Sequence, residues 1–350
     1  MTWRAVIVGG GVISSRHAQM LRQFGDRAAL VGIVDKDVER AATWGAERGV
    51  PAFSSLADAA AEIEFDVVVV CTPTSLHGTV AIEALGLGKH VVIEKPADIS
   101  TARIDEIMVA QRDADKLVTV ISQHRFDAST ERVQQAIEAG ELGRLTSATA
   151  SIDLWRGQSY YDSGAWRGTW EFDGGGALMN QGVHTVDLML ALMGPAVEVF
   201  GYADTLAHVR LETEDVAAGV VRFASGALGV LHASTAVYPG LDTRVQIHGD
   251  AGSAVIVNDH LRFVHTTPAG QERPEVKMGV QGAAANHLDA SELTSRDDVV
   301  DPMVHQYRNF LAALDGEASV RVGLAENRQA VALIQGLYES ARTGRPVSLI

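Results

Sequence analysis

Apolar residues in the first third of the chain fall into short continuous runs: RAVIV, ALVGIV, DVVVVC and KHVVIE. Runs of this kind suit strands buried on both faces of a parallel sheet. Parallel neighbours need a crossover, and VISSRHAQML fits a helix between the first two runs. The pattern changes after residue 123. RFDASTERVQQAIEAG reads as a helix ending near Gly140, and ELGRL leads from it into a strand. VAAGVVRFASGALGVLHAST and TRVQIHGDAGSAVIV are short strands parted by glycines, the pattern of antiparallel hairpins. YRNFLAALDG and ENRQAVALIQGLYESARTG are amphipathic, and Gly344 and Pro346 end the second helix.

The chain has 350 residues, room for two ordinary domains. Its 47% apolar and 21% charged residues, without a low-complexity tract, describe a folded globular protein. A formal net charge of −15 argues against nucleic acid or an anionic membrane as a general partner, while leaving room for a local basic pocket. No apolar run reaches the roughly 18 residues of a membrane span, and MTWRAVIVGG is no signal peptide, so the expected location is the cytoplasm. Cys71 is the single cysteine, so no internal disulfide is available. A small buried strand residue is its expected role.

Four places carry candidate chemistry. Gly9 and Gly11 permit a tight turn and bring backbone N–H groups, with Val12 and Ile13, to a diphosphate at a helix N-terminus. Ser14 stands where the third glycine of G-x-G-x-x-G belongs. Asp35, about 20 residues on, is placed to accept hydrogen bonds from ribose hydroxyls and to repel a 2′-phosphate, which favours NAD over NADP. Lys36 and Arg40 lie close enough to soften that preference, and a plain surface Asp before a helix is the bland alternative. Thr72, Pro73 and His77 close one apolar run, and Glu94, Lys95 and Pro96 close the next, where strand ends open onto a ligand crevice. GGGALMNQGVHTVDLML then sets Asn180, His184 and Asp187 at i, i+4 and i+7, one face of a helix. A core histidine satisfied by its neighbours is the alternative there. Last, WRGQSYYDSGAWRGTW holds Trp155, Arg156, Tyr160, Tyr161, Trp166 and Arg167. Flat aromatic faces beside charged donors suit a carbohydrate, and the same mixture also builds subunit interfaces. The 12 histidines are scattered, with no HxxxH or CxxC pair, so no metal is expected.

CTPTSLHG, GKHVVIEKP and GGGALMNQGVHTVDL, in this order, resemble the motif series of the Gfo/Idh/MocA oxidoreductases. The resemblance runs along nearly the whole chain. It implies an α/β N-terminal Rossmann domain, taken as residues 1–122, binding the dinucleotide. It also implies an α+β C-terminal domain built on a large, mostly antiparallel open sheet, residues 123–350, for substrate binding and oligomerisation. The C-terminal helices are expected to pack at the junction. The resemblance further implies that Lys95 sits beside the nicotinamide on an often cis Lys–Pro bond and that His184 is the general base. Asn180 replaces the aspartate that commonly pairs with this histidine; an amide orients a hydroxyl but carries no negative charge. Arg167 is placed near the cofactor and Arg125 near the pocket, and the open sheet implies a homodimer or homotetramer.

The expected function is an NAD-dependent dehydrogenase oxidising a secondary hydroxyl of a sugar, sugar acid or cyclitol. Lys95 and His184 handle the hydroxyl proton; Asn180, Trp155, Arg156, Tyr161 and Arg125 bind the substrate. Gly9, Gly11, Val12, Ile13, Asp35, Thr72, Pro73, His77, Glu94, Lys95 and Arg167 hold NAD, with NADP as a possible substitute. Competing readings are an NADPH-dependent ketosugar reductase, an enzyme that oxidises its substrate only transiently, and a non-catalytic sugar or nucleotide sensor.

Overall fold

The computed structural model describes residues 1–268, 270–271 and 301–349. The stretch 272–300 of the second expected domain lies outside the described residues. The chain divides into two compact units: residues 1–122, 171–174 and 303–328, and residues 123–170, 175–302 and 329–350.

The first unit is built on six parallel strands: β1 (Trp3–Val8), β2 (Ala28–Val34), β3 (Ala52–Phe53), β4 (Val67–Val70), β5 (His90–Ile93) and β6 (Val118–Val120). Their spatial order is β3-β2-β1-β4-β5-β6. The winding reverses between β1 and β4, so a crevice opens outside the carboxyl ends of those two strands. All four valines of β4 are buried, as β-branched residues with helices on both faces should be. Cys71 directly follows β4 and is buried. The helix Pro302–Leu314 packs into this core, where Met303, Tyr307, Phe310 and Leu311 join Ile7, Ile33, Val69 and Ile121. A segment near the C-terminus thus completes a core that the first residues begin.

The described residues of the second unit form eight strands: β7 (Leu145–Asp153), β8 (Ala196–Asp204), β9 (Val216–Phe223), β10 (Leu228–Ser234), β11 (Thr243–Gly249), β12 (Ser253–Val257), β13 (His260–His265) and β14 (Val347–Ser348). They lie in the order β13-β12-β11-β7-β10-β9-β8-β14. Only β7 and β10 pair in parallel, so the sheet is mostly antiparallel, as expected. β9 shows the period of two: Ala217, Val221 and Phe223 are buried, while Ala218, Val220 and Arg222 are exposed. The helix Leu324–Thr343 brings Leu333, Ile334 and Leu337 into this core, with Leu337 against Gly201 and Gly219. No helix among the described residues is long and apolar enough to cross a membrane.

The burial pattern makes a direct stability prediction. Ile7→Ala removes a fully buried side chain and should cost about 2–5 kcal/mol. Val12→Ala, at a position 93% exposed, should stay within about 0.5 kcal/mol of the parent. Urea unfolding of the two variants checks the contrast.

Candidate active site

In the first unit, β1 runs into the glycine turn at the crevice. Gly9 has φ +100°, and a Cβ there would lie 2.7 Å from the Cys71 carbonyl oxygen, so only glycine lets the two strand ends approach. Gly11 caps the helix Val12–Gln23 with no side-chain hydrogen bond, leaving the helix N-terminus to an anion. Ser14, fully buried, donates its hydroxyl proton to the Gly11 carbonyl, so the serine closes the turn in the place of a third glycine. Val12 stands exposed at this mouth, and Ile13 beside it is half-buried.

Asp35 is engaged on both carboxylate oxygens. One oxygen accepts from the Gly10 N–H (2.7 Å) and Arg40 Nε (2.9 Å), the other from the Asp37 N–H and an Arg40 terminal nitrogen, both at 2.9 Å. Burial pushes this carboxyl up, but Arg40 and the two backbone donors outweigh it and hold it below the ordinary range. Its charge is therefore matched by a half-exposed guanidinium at the mouth of the turn, which weakens the case that Asp35 repels a 2′-phosphate.

Thr72 lies just beyond β4, and its hydroxyl oxygen is buried with no partner among the described residues. Pro73 follows it and begins the turn before the helix His77–Gly86. His77 is a buried brace, Nδ1 lying 2.8 Å from the Pro96 carbonyl and Nε2 2.8 Å from the Thr72 carbonyl. Burial lowers its pKa below the ordinary imidazole value. Glu94, also buried, accepts from the Lys95 N–H (3.0 Å) and contacts His17 Nε2 (2.9 Å), while His17 Nδ1 meets the Tyr307 hydroxyl at 2.6 Å. Burial would raise Glu94, yet His17 and Lys95 bring it below its ordinary value. Lys95, half-buried, begins a cis Lys95–Pro96 peptide. Neither His17 nor Tyr307 was marked by the sequence: His17 reads as an ordinary helix residue, and Tyr307 comes from a distant segment. A glycine cradle, a carboxylate beneath it and an orphaned buried hydroxyl together fit a dinucleotide.

In the second unit, Asn180 and His184 do not share one regular helix. Ala177–Gly182 forms a π-helical turn, and the α-helix begins only at Val183 and runs to Met193. The one-face spacing holds for His184 and Asp187; Asn180 sits in the wider turn, a feature common at functional sites. The three glycines are each tight against the chain itself: Gly174 on Ile99, Gly175 on the Tyr338 hydroxyl, and Gly176 on the Glu214 carbonyl. Glu214, buried and unmarked in sequence, accepts from the Gly176 N–H (2.8 Å), the Leu178 N–H (2.7 Å) and Tyr338 Oη (2.9 Å). It anchors the start of the π turn.

Asp187 stands on this α-helix one turn beyond His184. It is buried and takes both nitrogens of Arg125 at 2.7 Å, so Arg125, expected near the pocket, secures the helix. The neighbouring His124 packs edge to face on His184, with ring centroids 4.9 Å apart. Arg156 donates to Gln181 Oε1 (2.8 Å), and the Gln181 amide donates to Asn180 Oδ1 (3.2 Å) and the Tyr160 hydroxyl (3.1 Å). Arg167 lies over the rings of Tyr160 (4.4 Å) and Trp166 (4.3 Å), and Arg156 over Tyr160 (5.5 Å). The structure thus groups Asn180, Arg156 and Arg167. Tyr161 is buried against the Thr235 hydroxyl (2.7 Å), and Trp155 stacks on His208 and Tyr238. His208 joins buried Asp215 (2.8 Å) to the Arg156 carbonyl (2.6 Å) and so fixes this segment from behind.

Two family signatures match the chain: the oxidoreductase family with an NAD-binding Rossmann fold over residues 3–122, and the GFO/IDH/MocA C-terminal domain over residues 130–255. The chain belongs to the Gfo/Idh/MocA family. It is an NAD(P)-dependent oxidoreductase. Among solved structures, the WlbA dehydrogenase from Bordetella pertussis, in complex with NADH and UDP-GlcNAcA, is 33% identical. It matches all of this chain and 99% of its own, with a TM-score of 0.86. The WlbA dehydrogenase from Chromobacterium violaceum, with the same two ligands, is 32% identical over 100% of this chain and 96% of its own, with a TM-score of 0.85. Myo-inositol 2-dehydrogenase of Thermotoga maritima is 28% identical over 262 residues, 71% of this chain and 73% of that protein.

The Asp35–Arg40 pair makes cofactor choice testable. Arg40→Ala should leave NADH affinity equal or improved and weaken NADPH roughly tenfold, the worth of one charge-assisted contact to phosphate. Nicotinamide fluorescence titrations of the wild type and variant measure both.

Proposed function

We propose that this family member oxidises a secondary hydroxyl of a sugar acid carried on a nucleotide, with Lys95 and His184 handling the hydroxyl proton. The observation that carries the substrate class is the pair Arg156 and Arg167. Both guanidiniums lie over Tyr160, and neither has a carboxylate partner among the described residues, in a chain of net charge −15. Nε of Arg156 is buried with no acceptor among the described residues. An acidic protein that keeps two arginines off its own carboxylates suits a substrate that brings an anion. The two WlbA structures, in complex with UDP-GlcNAcA, support the same class.

Gly9, Gly11, Val12, Ile13, Asp35, Thr72 and Pro73 would hold NAD, and Glu94 and His77 brace that strand end. NAD, when bound, supplies the hydride acceptor. The protein's residues do the rest. The Lys95 ammonium donates to the reacting oxygen and stabilises its developing negative charge. Neutral His184 takes the hydroxyl proton as the carbon–hydrogen bond breaks, leaving a ketone and an imidazolium. Asn180 orients a hydroxyl without adding charge beside the imidazole. Trp155, with its ring against Tyr238, offers an aromatic face, and Tyr161 supports the segment from the core. Tyr202, Val220, Leu228 and Val230 are exposed on β8–β10, an apolar sheet face that supports self-association as a homodimer or homotetramer.

Lys95→Ala and His184→Asn should each lower kcat by about a hundredfold to ten-thousandfold while NADH still binds. Arg156→Ala should raise KM for a nucleotide-linked uronate about tenfold or more, with kcat less affected. Steady-state kinetics beside NADH titration decides. Wild-type turnover by Lys95→Ala or His184→Asn contradicts the proton-handling roles, and an unchanged KM in Arg156→Ala contradicts the anion site.

A further inference from the structure

His124 stands outside every role assigned above, yet its ring lies on that of His184 at 4.9 Å, with planes at 78°. Its Nδ1 is held from two directions, by Asp127 Oδ2 (3.1 Å) and by Asp259 Oδ1 (2.9 Å). Asp127 precedes the helix Ala128–Glu138, and Asp259 sits in the tight turn between β12 and β13 at φ +65°. Three separate segments therefore meet on one imidazole.

We propose that His124 is a positioning residue for His184: clamped as an imidazolium between Asp127 and Asp259, it takes the single positive charge that the two-ring contact admits and keeps His184 in the neutral form a base requires. This rests on the reading of His184 as the base. Two imidazoles in contact titrate as a coupled pair, and a charge on one disfavours a charge on the other. The ring with two carboxylates wins the proton. Burial alone would lower His124, but Asp127 and Asp259 outweigh it and hold its pKa up at about 9. Asp187, one turn along from His184, is paired with Arg125, and His260 acts on Asp127. Asn180 acts in the same direction, because it brings no carboxylate to raise His184. The chain thus takes charge away from the side of Asn180 and adds it on the side of His124.

Histidine-selective NMR titration of the full chain tests this without substrate, with His184→Asn and His124→Gln assigning the two rings. In the wild type, His124 should titrate near pH 9 and His184 below the ordinary imidazole value of 6.5. In His124→Gln, the His184 midpoint should rise by about one pH unit or more. An unmoved or lowered midpoint overturns the proposal. Asp259→Asn, in which asparagine tolerates the positive φ, should bring the His124 midpoint down from about 9; no change there overturns the clamp. Full turnover by His184→Asn overturns the base assignment instead, and that outcome is read from activity while the coupling is read from the rings. In the wild type, the stabilisation from the clamp is fully present below pH 6.5 and is lost as the pH rises through about 9.

Discussion

The ion pair between Arg125 and buried Asp187 is the constraint on which the second unit's candidate site depends. Two contacts of 2.7 Å lock the segment 123–126 onto the helix Val183–Met193. A pair of this kind is costly to break, since loss of one partner strands a buried charge at about 3–5 kcal/mol. Its placement matters as much as its strength. Arg125 adjoins His124 and Asp187 lies one turn from His184, so the same pair that fixes the helix also sets one imidazole against the other. Beneath them, Glu214 and Tyr338 fix the start of the π turn, and Asn180 takes its position from there.

The first unit shows the same economy of charge. Asp35, Glu94 and Asp66 are each met by a cation or a ring nitrogen from their own unit: Arg40, His17 and Arg4. Arg156 and Arg167 have no carboxylate partner among the described residues, and this is why they carry the proposed substrate class.

Much of the scaffold could be read from local pattern. β4 is four valines, and the glycine turn and the EKP strand end announce themselves by residue type. What escaped was decided at a distance. Tyr307 reaches His17 from the far end of the chain, and Glu214 caps a turn more than thirty residues before it. No local period encodes either contact. The π turn escaped for a different reason: ALMNQG has a helical composition, and the close packing of Gly175 and Gly176 on Tyr338 and Glu214 just before it is not a local pattern. Asp35 was identified, but its partner Arg40 was weighed only as a neighbour, because bidentate pairing is a matter of side-chain direction. Arg125 was placed near the pocket by resemblance, and its bidentate pair with Asp187, set by side-chain direction, had no local signal.

Single-turnover reduction of the nicotinamide tests the central claim most directly. Wild-type protein loaded with NAD would be mixed with UDP-GlcNAcA, with UDP-GlcNAc, which lacks the carboxylate, and with myo-inositol. Reduction that is fast with the uronate and slower by an order of magnitude or more with the other two is the expected result. Equal reduction by all three, or reduction by myo-inositol alone, would contradict the assignment of Arg156 and Arg167 to an anionic substrate.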